Sequence, residues 1–227
     1  MDSVREEIID YKLGRECFLW SFLWLGTYFI SEAFLKPNHI DYFNNWHFFS
    51  LLFILSPILS TGLLSQIDNV RRAFLEDRKI AYVLALFVVF IALGLSINYY
   101  FPVAETKNNY FSEIKFLYPY LVFQTSFTKG VDVLFQQIMI LNLILILKEK
   151  IKSEVKVIAT FGVIFFLIHL PLVIAMSYTA FLFIIPSSIA GFIFSNFILK
   201  FRYGLVYSIA THFCFYLLIA IGLRYIF

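Results

Sequence analysis

Charge is what this sequence has least of. Asp, Glu, Lys and Arg make up 15% of its 227 residues, against about a quarter in an ordinary soluble domain. A globular chain could not cover 61% apolar residues with so little polar surface, so the surplus faces lipid. The net charge is only +3, and no basic stretch outside the apolar runs is interleaved with aromatics. Nucleic acid is therefore excluded as a partner. Cysteine is nearly absent. Cys17 and Cys214 both lie in apolar segments, which excludes a disulfide framework and a C-x-x-C zinc or redox motif. Each reads as a small packing residue. There is no low-complexity linker and no internal repeat, so residues 1–227 form a single integral membrane domain.

What is abundant is long apolar runs. A spanning helix needs roughly 20 apolar residues, and the runs here are continuous rather than alternating, which selects helices over strands. The fold class is all-α: a polytopic transmembrane helical bundle of about seven spans. The spans are expected at 17–35, 46–66, 80–101, 131–147, 155–176, 179–199 and 205–227. The stretch 110–128 holds an apolar run too short to span, and it reads as a short interfacial or re-entrant helix. Gly130 offers a break before the fourth span. Residues 1–16 carry both signs of charge and lack the basic start of a secretory signal, so the first span reads as retained.

Loop charge gives the orientation. Arg5, Lys12 and Arg15 precede the first span. Arg71, Arg72, Arg78 and Lys79 fall in the second connection, Lys148, Lys150, Lys152 and Lys156 in the fourth, and Lys200 and Arg202 in the sixth. The alternate connections are poorer in positive charge. This pattern predicts a cell-membrane protein with a cytoplasmic N-terminus and an external C-terminus.

Ionisable groups inside hydrocarbon are expensive and usually mark function. Asp132 is the carboxylate inside a predicted span, and His169 and His212 are the histidines inside spans; His39 and His47 fall at the first external connection. Asp132 and Gln136 are one turn apart and share a face, whereas Gln137 points elsewhere. Pro171, two residues after His169, predicts a kink there. Ser208, His212 and Tyr216 share a face of the last span.

The order of these elements resembles the CAAX protease and bacteriocin-processing (CPBP) family of intramembrane peptidases. That family carries E-E-x-x-x-R, then F-x-x-x-H, then H-x-x-x-N or a similar last residue. Phe165 and His169 carry the second motif intact, and His212 and Tyr216 carry the third. Residues 131–137 take the place of the first, with Val131 at the first Glu, Asp132 at the second and Gln136 at the Arg. The resemblance covers 130–216. It implies that His169 orients or activates a water, and that His212 and Tyr216 donate to an oxyanion. Asp132 replaces the missing Glu only if the helix turns by about 100°, the angle of one residue. A divalent metal such as zinc is compatible with two histidines and a carboxylate.

Three readings stay open on sequence alone. The first is an intramembrane endopeptidase acting on a membrane-associated peptide or protein through Asp132, His169 and His212. The second is a catalytically inactive CPBP-like binding, maturation or immunity protein, favoured by Val131. The third is a small transporter or channel subunit, against which stands the lack of an inverted repeat.

Overall fold

The computed structural model describes residues 2–38, 45–101, 121–176 and 180–226. Among them there are helices and turns and no strand. The helices are α1 (Asp2–Ile30), α2 (Trp46–Leu63), α3 (Ile67–Leu75), α4 (Lys79–Tyr100), α5 (Phe123–Lys150), α6 (Glu154–His169), α7 (Leu172–Met176), α8 (Phe181–Lys200) and α9 (Gly204–Ile226). A π-helical turn, Ser31–Leu35, follows α1. Seven stretches are long and apolar enough to cross a membrane: Tyr11–Leu35, Trp46–Leu63, Ile67–Tyr100, Phe123–Lys150, Glu154–Ile174, Phe183–Lys200 and Gly204–Gly222. Helices suit such segments because each closes its own backbone hydrogen bonds where no water can.

α5 is the axis of the bundle. It touches α1, α2, α3, α4, α6, α8 and α9. Between Ser126 and Leu147 all its residues are buried except Phe127, Leu134, Ile138 and Leu145, which fall on one narrow stripe at helical spacing. The outer helices show the reverse pattern, with Leu59, Val88, Ile174 and Leu218 well exposed, as expected of surfaces that meet acyl chains. Two apolar clusters flank the axis. One joins Trp20, Trp24, Phe49 and Phe53 to Phe135, Phe161, Phe165 and Phe194. The other joins Val83 and Phe90 to Val133, Ile184, Ile209 and Phe213.

Cross-helix contacts fix the direction of each helix and the depth of its polar groups. The Trp20 indole donates to the Met139 carbonyl at 2.7 Å, and Tyr28 meets Asp132, so α1 runs antiparallel to α5. Ser50 meets Thr128 and Asn142 meets Thr61, so α2 runs parallel to it. Glycine brings α6 and α8 together: a Cβ on Gly191 would lie 3.1 Å from Gly162 Cα, the close backbone approach that small residues permit between membrane helices.

The connections cluster by charge. Gln66 and Asn69 bond Glu149, and the Arg202 guanidinium grips Asp77 through both carboxylate oxygens. The turns α2–α3, α3–α4 and α8–α9 and the end of α5 therefore share one end of the bundle. Those are the basic connections of the sequence. Asp77 and Arg78 hold left-handed backbone, φ 53° and 57°, which costs about 1–2 kcal/mol per residue for an L-amino acid.

Two expectations need correction. α5 begins at Phe123 rather than at 131, so residues 123–128 are its first turns and not a separate interfacial helix; 110–120 lie outside the described residues. Gly130 is no break. It sits inside α5, where a Cβ would meet Phe87 Cε2 at 2.6 Å, so its bare backbone admits the ring from α4. The cause of the misreading is Lys129, which interrupts the apolar run yet is buried in the bundle. The predicted kink is a full interruption: α6 stops at His169, the Leu170 amide bonds back to Leu167, and α7 starts after Pro171.

Candidate functional site

The polar centre is built outward from α5. Lys129, Asp132 and Gln136 recur at spacings of three and four, so they line one face. The Asp132 carboxylate, 1% exposed, is fully engaged. Lys129 Nζ donates to Oδ2 at 2.6 Å, Tyr28 Oη donates to Oδ1 at 2.7 Å, and Gln136 Nε2 donates to Oδ1 at 3.1 Å. On its other side the Lys129 ammonium lies 3.9 Å from the centroid of the Tyr216 ring, where the π face attracts a cation. A buried ion pair of this kind is neutral as a unit, and its leftover hydrogen-bonding capacity is filled by a phenol, an amide and a ring. That is the condition under which a charge can sit in a low-dielectric interior.

Deeper along the same helix is a second network. Gln137 is near the midpoint of α5, a helix of 28 residues, about 20 Å from its start. Its Nε2 lies 2.9 Å from His212 Nδ1, and its Oε1 accepts from Ser208 Oγ at 2.6 Å. His212 is also sandwiched by rings, with Phe194 at 5.2 Å and Tyr216 stacked at 5.3 Å.

His169 occupies the C-terminal end of α6. Its Nδ1 donates to the Phe165 carbonyl at 2.6 Å. A neutral imidazole has one N–H, so Nε2 is left as the acceptor, and it has no hydrogen-bond partner among the described residues. Phe165 and Trp24 pack on the ring at 4.6 and 6.4 Å. Lys129 and His169 each lie within electrostatic reach of His212.

The expected residues are thus only partly assembled. Asp132 with Gln136, Phe165 with His169, and His212 with Tyr216 are each in contact. Asp132 hydrogen-bonds neither imidazole. Val131 belongs to the same apolar cluster as Trp24, Phe165 and Phe194, whose rings pack on the two histidines, while the adjacent Asp132 turns its carboxylate to Lys129 and Tyr28. Among the described residues no three His, Cys, Asp or Glu side chains gather closely enough to hold a metal ion, and both Asp132 oxygens are already taken. The donor set does not fit the zinc ion that the resemblance allowed.

Sequence reasoning missed Lys129, Tyr28 and the role of Gln137. Lys129 had a signal, since a lysine three residues before a carboxylate on one helix is the spacing of an ion pair. Gln137 does point away from Asp132, and that direction leads to His212. Tyr28 had no signal, because only the packing of α1 on α5 brings it there. No family model, no curated protein and no solved structure matches this chain.

Proposed function

We propose that this chain is a divergent CPBP-like membrane protein that binds a segment of a peptide or membrane-protein partner at its polar centre and does not hydrolyse it. The observation that carries this reading is the state of the acid. Water activation needs a base with a lone pair free to take a proton. Asp132 already accepts from Lys129, Tyr28 and Gln136, it hydrogen-bonds neither imidazole, and a valine stands at 131, where the resemblance puts the first Glu. The remaining groups suit binding: Nε2 of His169 accepts, and His212 brings a donor. The resemblance in 130–216 supports a peptide as the ligand class, and a maturation or immunity role follows from holding without cutting. The protein belongs in the cell membrane in this reading. Its basic connections share one end, so the positive-inside bias puts the N-terminus in the cytoplasm and the C-terminus outside.

The test is a gain of function. Purified protein in nanodiscs is presented with membrane-associated peptides, and binding and cleavage are followed separately. Retained binding with no cleavage supports the reading, as does cleavage that emerges in Val131→Glu. Cleavage by the unaltered protein overturns it.

One observation favours a second reading, that of an endopeptidase. His169 Nε2 is an acceptor and His169 lies within electrostatic reach of His212, so the two offer a base and a donor without Asp132. Hydrolysis abolished by His169→Ala and by His212→Ala, yet retained when Lys129→Met and Asp132→Leu are combined, is the signature of that chemistry.

A further inference from the structure

Gln137 and Ser208 form a device with a consequence for His212. The three side chains come from α5 and α9, and all are buried, Gln137 and Ser208 completely. They make an open circuit: hydroxyl to amide oxygen, amide nitrogen to ring nitrogen. An amide nitrogen carries two hydrogens and only donates. If Gln137 Nε2 faces His212, then Nδ1 must accept, and the one proton of a neutral imidazole is on Nε2.

The opposite amide orientation is a chemically complete alternative. There Gln137 Oε1 would face His212 and accept from Nδ1–H, Nε2 would become a lone pair, and Ser208 would accept from the amide. The Ser208 distance discriminates between the two. It is 2.6 Å, which suits O–H···O and is short for N–H···O. The contact to His212, 2.9 Å, is ordinary for a nitrogen donor in either orientation. Ser208, one turn before His212 on the same helix, thus decides which end of the amide meets the ring.

We infer that Gln137, oriented by Ser208, is a positioning residue that fixes His212 as a neutral imidazole with its proton on Nε2, a hydrogen-bond donor and not a base. What meets His212 must then offer an acceptor atom, as the backbone carbonyl oxygen of a bound peptide does. His169 is held the opposite way by the Phe165 carbonyl, proton on Nδ1 and lone pair on Nε2. The two histidines are therefore locked in complementary roles by neighbours outside their own rings. The assignment is independent of whether the site holds or cuts its ligand.

The test is the tautomer itself. Full-length protein is labelled with 15N-histidine in nanodiscs, and the ring nitrogens are read by long-range 1H–15N correlation; the His212 signals are those lost in His212→Asn. The expected spectrum has a pyrrole-type Nε2 and a pyridine-type Nδ1. Gln137→Glu replaces the donor with a carboxylate, which accepts from the ring, so Nδ1 is expected to become pyrrole-type. Ser208→Ala frees the amide to flip, and a mixture of both tautomers is expected. A proton on Nδ1 in the unaltered protein overturns the inference, and so does a His212 spectrum unchanged in both variants. Should Gln137→Glu fail to fold, the unaltered protein and Ser208→Ala still decide the matter.

Discussion

Breaking the Lys129–Asp132 pair from one side should harm the protein far more than removing it entirely. At 2.6 Å two unit charges attract by about 6 kcal/mol at an effective dielectric of about 20. Most of that offsets the cost of taking both groups out of water, so the pair itself contributes little net. The asymmetry appears when one partner goes. Lys129→Met leaves a carboxylate 1% exposed with Tyr28 and Gln136 as its only donors among the described residues, and such an orphaned charge costs about 3–5 kcal/mol. Asp132→Leu strands the ammonium beside Tyr216, without a counter-charge on it among the described residues, at a similar cost. The double substitution removes both charges from an interior already rich in apolar side chains, and it should fall within about 1 kcal/mol of the unaltered protein or above it. A double-mutant cycle of unfolding free energies, measured in bicelles by steric trapping, gives the coupling directly. A coupling of several kcal/mol is expected. If the two single costs simply add, the pair is not the closed unit described, and the claim that Asp132 is unavailable as a base goes with it.

Other consequences are more local. Arg202 holds the Asp77 carboxyl below its ordinary value through a direct hydrogen bond and its charge. A carboxylate depressed in the folded state stabilises above its unfolded pKa, and that contribution is lost as pH falls through the folded value. The contact between the α3–α4 and α8–α9 turns should therefore hold at neutral pH and loosen only below about pH 4, read as a spin-label distance across the two turns. Arg202→Gln should loosen it at every pH. Gly204→Ala would place a Cβ 1.8 Å from the Phe197 carbonyl oxygen, so the α8–α9 turn must shift, at about 1–3 kcal/mol, seen as a lower thermal midpoint in detergent. Trp20→Phe removes the indole donor to Met139 and should cost about 1 kcal/mol. Near-normal stability in that variant would mean that the α1–α5 contact rests on ring packing alone.

The bundle was legible because lipid imposes a one-dimensional rule: a long apolar run must be a helix, and its charged breaks mark the ends. That rule found all seven spans, with starts later than observed at Tyr11, Ile67 and Phe123, the last because a charge was buried. Lys129 shows why. A hydropathy reading treats lysine as a boundary, yet a lysine with a carboxylate three residues on is neutral as a pair and stays inside, so α5 was cut eight residues short. The site was legible as an inventory and not as a set of contacts. Asp132, His169 and His212 stand out because each is costly in hydrocarbon. Which of them meet depends on rotation about helix axes, and adjacent residues on a helix differ by about 100°. Val131 and Asp132 are adjacent, so one step in rotation exchanges a carboxylate for a methyl group on a given face. The bond of Tyr28 to Asp132, and the cluster that Val131 shares with Trp24 and Phe165, go with that rotation. These contacts come from α1 and α6, more than 30 residues away on either side, where no local pattern records them. The same holds for Gln137. Its spacing from Asp132 says only that the two face apart; its partner is set by α9, which runs antiparallel to α5, with Tyr216 at Lys129 and His212 at Gln137.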